Sequence, residues 1–190
     1  MFISLTVYDE LGEYTYPATF NINSIELFHP VDVERTLLSS GGLGTMGFGL
    51  GAAIGGCIAN NRKRTVLFTG DGSFGMCLQE LVTAVSQKLP LLIVIFNNGV
   101  LGMVRQWQTM FYEKHYSSTT LNRRTDFPAL AEAFGAVGKK ITTLSELKNA
   151  LNTLASDTPT VLDCRLDMDE FVLPMIPPGG SVQDLITGRN

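Results

Sequence analysis

Histidine and cysteine, from which most metal centres, disulfide frameworks and nucleophilic triads are built, are nearly missing from this chain. Its 190 residues hold two histidines and three cysteines. Cys57, Cys77 and Cys164 are far apart, odd in number and never in CxxC spacing. That pattern argues against a disulfide scaffold or a structural zinc site and for a reducing compartment, the cytoplasm. Cys57 and Cys77 read as small buried hydrophobes. His29 and His115 are isolated, so neither a histidine-containing triad nor an HExxH metal motif can be assembled. Charge is scarce as well: charged residues make up 17% of the chain, with a net charge of −4 and a pI of about 5.1. Basic residues cluster only briefly, as in Arg62-Lys63-Arg64 and Arg123-Arg124, which read as solvated loops and not as a nucleic-acid surface. Asp9, Glu10 and Glu13 near the start argue against a transit peptide, and the charged n-region and cleavage site of a secretory signal are missing.

What the chain does have is a long uncharged stretch, Leu43 to Ala59, with glycines at 47, 51 and 55. The small-xxx-small spacing occurs in packed membrane helices. This stretch, however, is glycine-rich, has no aromatic belts and is followed by no second span, so it reads as a buried soluble helix packed close to a neighbour. Residues 1–30 are the least legible part; Phe2 to Tyr8 alternates like a strand, and Tyr14-Thr15-Tyr16 precedes Pro17.

Beyond Ser39 the organisation sharpens. Ser39-Ser40-Gly41-Gly42-Leu43-Gly44 reads as a flexible loop. Thr65-Val66-Leu67-Phe68-Thr69 and Leu91-Leu92-Ile93-Val94-Ile95-Phe96 are short apolar runs of the kind found in strands buried on both faces. Between them a helix is expected from about Met76 to Gln87, with Leu78, Leu81, Val82 and Val85 as its apolar stripe. Asp126 reads as the N-cap of a helix reaching about Phe134 and ended by Gly135. A strand over Lys139–Thr142, a helix from Ser145 to about Leu154 and a strand over Thr160–Arg165 follow. Pro174, Pro177, Pro178 and Gly179-Gly180 mark an extended tail. The alternation predicts an α/β fold with a mainly parallel sheet and helices on both faces. We divide it into an N-terminal segment of uncertain role (1–35), an α/β domain (36–170) and a C-terminal tail (171–190).

In such a sheet ligands bind beyond the carboxyl ends of the strands. The first buried strand ends in Gly70-Asp71-Gly72-Ser73 and the second in Asn97-Asn98. One helix joins two parallel strands, so both ends emerge on the same edge and Asp71 and Asn98 can converge. A carboxylate with an amide oxygen suits a hard cation such as Mg2+, its shell completed by backbone carbonyls and phosphate oxygens. Glycines beside Asp71 let N–H groups approach phosphate, and a helix N-terminus follows. Each motif alone would be a turn; together, at this spacing, they predict a site for a metal and a diphosphate.

Gly-Asp-Gly followed after 24 residues by Asn-Asn is similar to the signature of the thiamine diphosphate enzymes. The segments Gly41-Gly42-Leu43-Gly44-Thr45-Met46-Gly47, Leu101-Gly102-Met103-Val104-Arg105-Gln106-Trp107-Gln108 and Leu173-Pro174-Met175-Ile176-Pro177-Pro178-Gly179-Gly180 resemble the large catalytic subunit of acetolactate synthase. The resemblance covers roughly residues 36–182. It implies that Asp71 and Asn98 bind Mg2+ through their side chains and Val100 through its carbonyl. Gly72, Ser73, Leu101, Gly102 and Met103 would line the diphosphate of thiamine diphosphate. Gly44 and Met46 would contact the aminopyrimidine through their backbones, with the Met46 side chain holding the bent cofactor. Trp107 would shape the pocket for the second 2-oxo acid; Arg105 and Tyr112 receive no role. In that family pyruvate is decarboxylated and the two-carbon unit is joined to pyruvate or 2-oxobutyrate, in branched-chain amino acid biosynthesis.

The family also has a pyrimidine-binding domain, which carries the activating glutamate, and a middle domain that usually holds FAD. This chain has room only for the diphosphate-side domain, so no catalytic residue of its own is expected and FAD would belong to a fuller enzyme. Its expected partners are a second copy, making a homodimer, or a chain carrying the pyrimidine domain; small 2-oxo acids are the expected substrates, and neither nucleic acid nor membrane is. Two departures stand out: Gly51 replaces the proline usual after Gly-Phe-Gly-Leu, and residues 1–30 lack the Gly-x-His-Gln-Met-Trp-like segment expected upstream. Another thiamine diphosphate carboligase, decarboxylase or pyruvate oxidase, or a noncatalytic interaction module retaining the fold, are the alternative readings.

Overall fold

A computed structural model of the chain describes residues 2–5, 37–38, 40, 43–122 and 125–188, of which 2–5 and 37 are described by backbone alone. The rest of the expected N-terminal strand (Thr6 to Tyr8), Tyr14–Pro17, most of the loop over 39–42 and the Arg123-Arg124 pair lie outside the described residues.

Six strands form one sheet: β1 (Phe2–Leu5), β2 (Leu37–Leu38), β3 (Thr65–Gly70), β4 (Leu91–Asn97), β5 (Val137–Ile141) and β6 (Thr160–Arg165). All neighbouring pairs are parallel, in the order β2-β1-β3-β4-β6-β5. β4, which pairs on both sides, is buried along its whole length; that is why it reads as an unbroken apolar run instead of an alternating one. Successive residues nevertheless serve different faces. Leu67, Ile93, Ile95 and Val161 pack against α1 (Phe48–Ala59), α3 (Leu81–Ser86) and α5 (Phe127–Ala133) on one side. Val66, Leu92, Val94, Leu162 and Cys164 pack with α6 (Leu144–Leu151) on the other. The expected α/β architecture with helices on both faces is therefore present.

Local chemistry accounts for most element ends. Asp126 caps α5 by accepting the Ala129 N–H at 3.0 Å, and Gly135, at φ 88°, ends it in the left-handed region that only glycine enters freely. α6 starts at Leu144, one residue before the expected Ser145, because Thr143 is its cap: Thr143 and Glu146 form a reciprocal capping box. The helix expected from Met76 is broken. A one-turn helix α2 (Asp71–Phe74) and a 3₁₀ turn over Leu78–Glu80 precede α3, and Val82 points outward while Leu81 and Ala84 are buried.

The glycine-rich helix also differs from expectation. α1 begins only at Phe48, and nothing lies within 4 Å of the positions that side chains on Gly51 and Gly55 would take. Its buried face is Gly49, Leu50, Ala53, Ile54, Gly56 and Cys57. Among the described residues, then, Gly51 and Gly55 serve no close packing inside this chain. A glycine that does is Gly138 on β5, where an added Cβ would fall 2.2 Å from the Pro128 carbonyl oxygen of α5.

Gly138→Ala should force α5 off the sheet, costing about 3 kcal/mol and lowering the melting temperature by roughly 6–12 °C; an unchanged melting temperature would contradict this packing. A second expectation concerns Cys164, whose thiol burial pushes up to about 11, with the charge of Asp163 adding to the effect. An unfolded cysteine ionises near pH 8.5, so between about pH 9 and 11 the folded state holds a proton that the unfolded state has lost. Stability from this group is therefore present below that window and lost as pH rises through it. Urea unfolding at pH 8.5 and 10.5 should show a smaller loss in Cys164→Ala than in the unaltered chain.

Candidate functional site

β3 pairs with β4 from Thr65 opposite Leu91 to Gly70 opposite Phe96. The next residue, Asp71, opens α2, while β4 runs on to Asn97, with Asn98 next along. Asp71 and Asn98 are 5% and 7% exposed, although both lie at a sheet edge where the strands end. Two segments pack beside the residues that follow them in the chain.

The first is the loop 43–47. Gly44 (φ 56°) and Gly47 (φ 84°) take left-handed conformations that let it turn back onto α2. There the Gly47 N–H donates to Ser73 Oγ at 3.0 Å. The second is 119–121, which lies antiparallel to 99–101: Leu101 N–H donates to the Thr119 carbonyl and Leu121 N–H to the Gly99 carbonyl, both at 2.8 Å, around a Val100–Thr120 bridge.

The two segments meet above Gly72. A Cβ there would be 3.2 Å from Met46 Cε, 3.4 Å from Leu101 Cδ2 and 3.5 Å from Leu121 Cδ1. Glycine at 72 thus answers side-chain crowding as well as any close approach of a ligand to the backbone. Met46 and Leu101, predicted for the site, are brought together there. Leu121 was not predicted: it lies far along the chain in a polar loop, with no pattern to single it out.

At the end of β4, Gly99 (φ 70°) turns the chain so that Val100 N–H donates to Asn98 Oδ1 at 3.2 Å. An amide oxygen has two lone pairs, so this bond leaves one for a cation. Val100 is 3% exposed. Leu101 is the N-cap of α4 (Gly102–Phe111), and its side chain makes no capping bond. The first-turn N–H groups, those of Gly102 and Met103 among them, therefore present a positive helix end without a side-chain cap.

Met103 and Trp107 are four residues apart and share a face of α4. Trp107 meets Phe111 edge to face, with centroids 5.7 Å apart. Together with Val104, Gln108 and Tyr112 they line an open groove of ≈650 Å³. Residues 105 and 106 face elsewhere. Arg105 pairs with Asp169 at 2.7 Å and lies 4.1 Å over the Tyr116 ring; the Asp169 hydrogen bond pushes its guanidinium further toward the charged form. Gln106, 1% exposed, donates to the Val172 carbonyl at 3.0 Å and accepts the Val172 N–H at 2.7 Å. The segment after β6 is thereby fastened to α4. Sequence reasoning passed over Gln106, since a glutamine inside a helix looks like a surface residue until its partner is known.

This chain matches the family described as thiamine pyrophosphate enzyme, C-terminal TPP binding domain, over residues 21–164. It is 47% identical to the acetolactate synthase isozyme 2 large subunit of Escherichia coli over 153 residues, 80% of this chain and 28% of that protein. It is 41% identical to the acetolactate synthase large subunit of Haemophilus influenzae over 86% of this chain and 29% of that one. With the Lactococcus lactis large subunit it shares 36% identity over 93% of this chain and 32% of that one. The chain thus spans less than a third of the length of these relatives.

Ser73→Ala removes the acceptor of a partly buried N–H and should cost about 1 kcal/mol in urea unfolding. In the same variant the Gly47 amide should exchange its hydrogen faster, while those of Ile93 and Ile95 stay protected. Unchanged exchange at Gly47 would mean that Ser73 does not hold the loop.

Proposed function

The chain belongs to the thiamine pyrophosphate enzymes by virtue of their C-terminal TPP binding domain, and from that premise we propose that it is the diphosphate-side domain of an acetolactate synthase-like transferase, working with Mg2+ and with a pyrimidine domain. The observation that supports this reading is that Asp71 and the Asn98–Val100 turn directly follow β3 and β4, whose carboxyl ends share one edge of the sheet.

The residues present fit the group. The donor set is all oxygen (the Asp71 carboxylate, the Asn98 amide and the Val100 carbonyl), the chemistry a hard divalent cation selects over softer metals. The uncapped first turn of α4 offers N–H groups to a diphosphate, and Gly72 and Ser73 at α2 offer backbone beside it. Met46, over Gly72, would support the rings, with Gly44 and Met46 contacting the aminopyrimidine by their backbones. Bound there, thiamine diphosphate supplies the carbon nucleophile that allows a 2-oxo acid to lose carbon dioxide. The chain's own contribution would be to anchor, orient and shield: Asp71, Asn98 and Val100 would hold the metal and with it the diphosphate, and Trp107 in the α4 groove would shape the space for the second 2-oxo acid. No proton-transferring group of this chain is assigned. That role falls to a glutamate of the pyrimidine domain, and FAD, where used, to a further domain.

The outward face of α1 supports association. Phe48, Gly51, Gly55 and Ile58 follow one another at helical spacing and are all exposed, with Phe48 38% and Ile58 47% accessible. Leu43 and Met76 are exposed as well, at 84% and 58%. Apolar surface of this kind is covered in assembled proteins. A second copy of this chain, or a chain bearing the pyrimidine domain, is the proposed cover, with residues 36–170 as the cofactor domain and the cytoplasm as its compartment. Among the described residues no helix is long and apolar enough to cross a membrane.

Calorimetric titration of thiamine diphosphate, with Mg2+ and then with EDTA, tests the site, alone and with a pyrimidine-domain chain added. Binding that requires the metal and disappears in Asp71→Ala is expected; metal-dependent binding retained by Asp71→Ala would sink the ligand assignment. With the pyrimidine domain present, pyruvate should yield acetolactate. Acetaldehyde or acetyl phosphate would instead indicate a decarboxylase or an oxidase.

A further inference from the structure

Asp163 has no part in the site as described, yet it is the most deeply buried carboxylate among the described residues. It lies in β6 between Leu162 and Cys164 and is 0% exposed. An acidic residue in a strand buried on both faces must be compensated by specific partners, since an apolar side chain would otherwise be more stable there. Its Oδ1 accepts from Asn97 Nδ2 at 2.7 Å, a short, charge-assisted bond. Its Oδ2 lies 2.7 Å from Arg165 Nη2, near enough for charge pairing but not aligned for a hydrogen bond. Arg165, 41% exposed, carries that charge to the rim of the sheet.

The position of this bond matters. β3 pairs with β4 as far as Phe96, so at Asn97 the hold on the chain passes to β6. Asn97 stands opposite Arg165, and its carbonyl accepts the Leu166 N–H at 3.0 Å. Its side chain reaches diagonally back to Asp163. Asn97 is thus fixed by backbone and side chain together, immediately before Asn98 turns its own amide oxygen toward the Val100 N–H.

We propose that Asp163 is a positioning residue for the divalent cation: by holding Asn97 it sets where the Asn98 amide oxygen and the Val100 carbonyl face. The inference rests on the proposed function for its ligand but not for its geometry. Partners that orient metal ligands from behind commonly alter affinity 10- to 100-fold when removed, on the order expected here.

Three variants separate this role from a merely structural one. Asp163→Asn keeps an oxygen acceptor for Asn97, Asp163→Leu removes it while filling the space, and Asn97→Ala breaks the bond from the other side. The first readout needs no ligand: exchange of the Val100 amide, expected to accelerate in Asp163→Leu and Asn97→Ala but not in Asp163→Asn, with Ile93 and Ile95 unaffected in all. The second is the Mg2+ concentration needed for half-maximal thiamine diphosphate binding. It should rise roughly 10- to 100-fold in Asp163→Leu and Asn97→Ala and stay within about 3-fold in Asp163→Asn. If Asp163→Leu does not fold, Asn97→Ala decides by the same two readouts. A folded variant lacking the bond but retaining both Val100 protection and the original Mg2+ requirement overturns the proposal. If the unaltered chain shows no metal-dependent binding, the cofactor assignment fails, and the exchange measurement still decides whether Asp163 holds the turn.

Discussion

Parallel pairing of β3 with β4, ending at Gly70 opposite Phe96, is the constraint on which the candidate site depends. A slip of β4 by one residue in that register would turn Ile93 and Ile95 from one core to the other. It would also move Asp71 out of step with Asn97 and Asn98. The two hydrophobic clusters, one on each face of the sheet, therefore hold the register that the polar ends require. Burial and site geometry are one arrangement seen from two sides: the apolar middle of each strand sets where its polar end stands.

At those ends the physical problem reverses. Asp71, Ser73, Asn97 and Asn98 are polar yet nearly inaccessible, and such groups are costly to bury unless they are bonded. The chain meets this with specific partners. Ser73 receives Gly47, Asn98 receives Val100, and Asn97 donates to Asp163. Each bond also fixes a loop, so satisfying the polar groups and shaping the site are accomplished by the same contacts. Gln106 does likewise for the C-terminal segment, accepting and donating at Val172 as a neighbouring strand would.

Much of the fold was legible beforehand, because the cues were local. Apolar runs marked β3 and β4, the span Thr160–Arg165 was read with its observed bounds, and Asp126 and Gly135 bracketed α5 as their chemistry directs. The errors have physical causes too. Periodicity alone merged the 3₁₀ turn at Leu78 with α3, since a tight turn and a helical turn repeat apolar residues at similar intervals. Thr143, a weaker-looking cap than the serine two residues on, took the capping position because Glu146 stands where it can close the reciprocal bond.

By itself the sequence determined which chemistry the chain can hold: an anionic oxygen at 71, an amide oxygen at 98, and glycines where a turn or a close approach needs them. It also determined that both would stand at strand ends, because hydrophobic runs and turn residues act over a few neighbours. Only the tertiary structure decided that Leu121 closes over Gly72, that Gln106 grips Val172, and that Asp163 reaches Asn97. These contacts join residues dozens of positions apart, and they exist only once strand order and helix packing have set the distances between them.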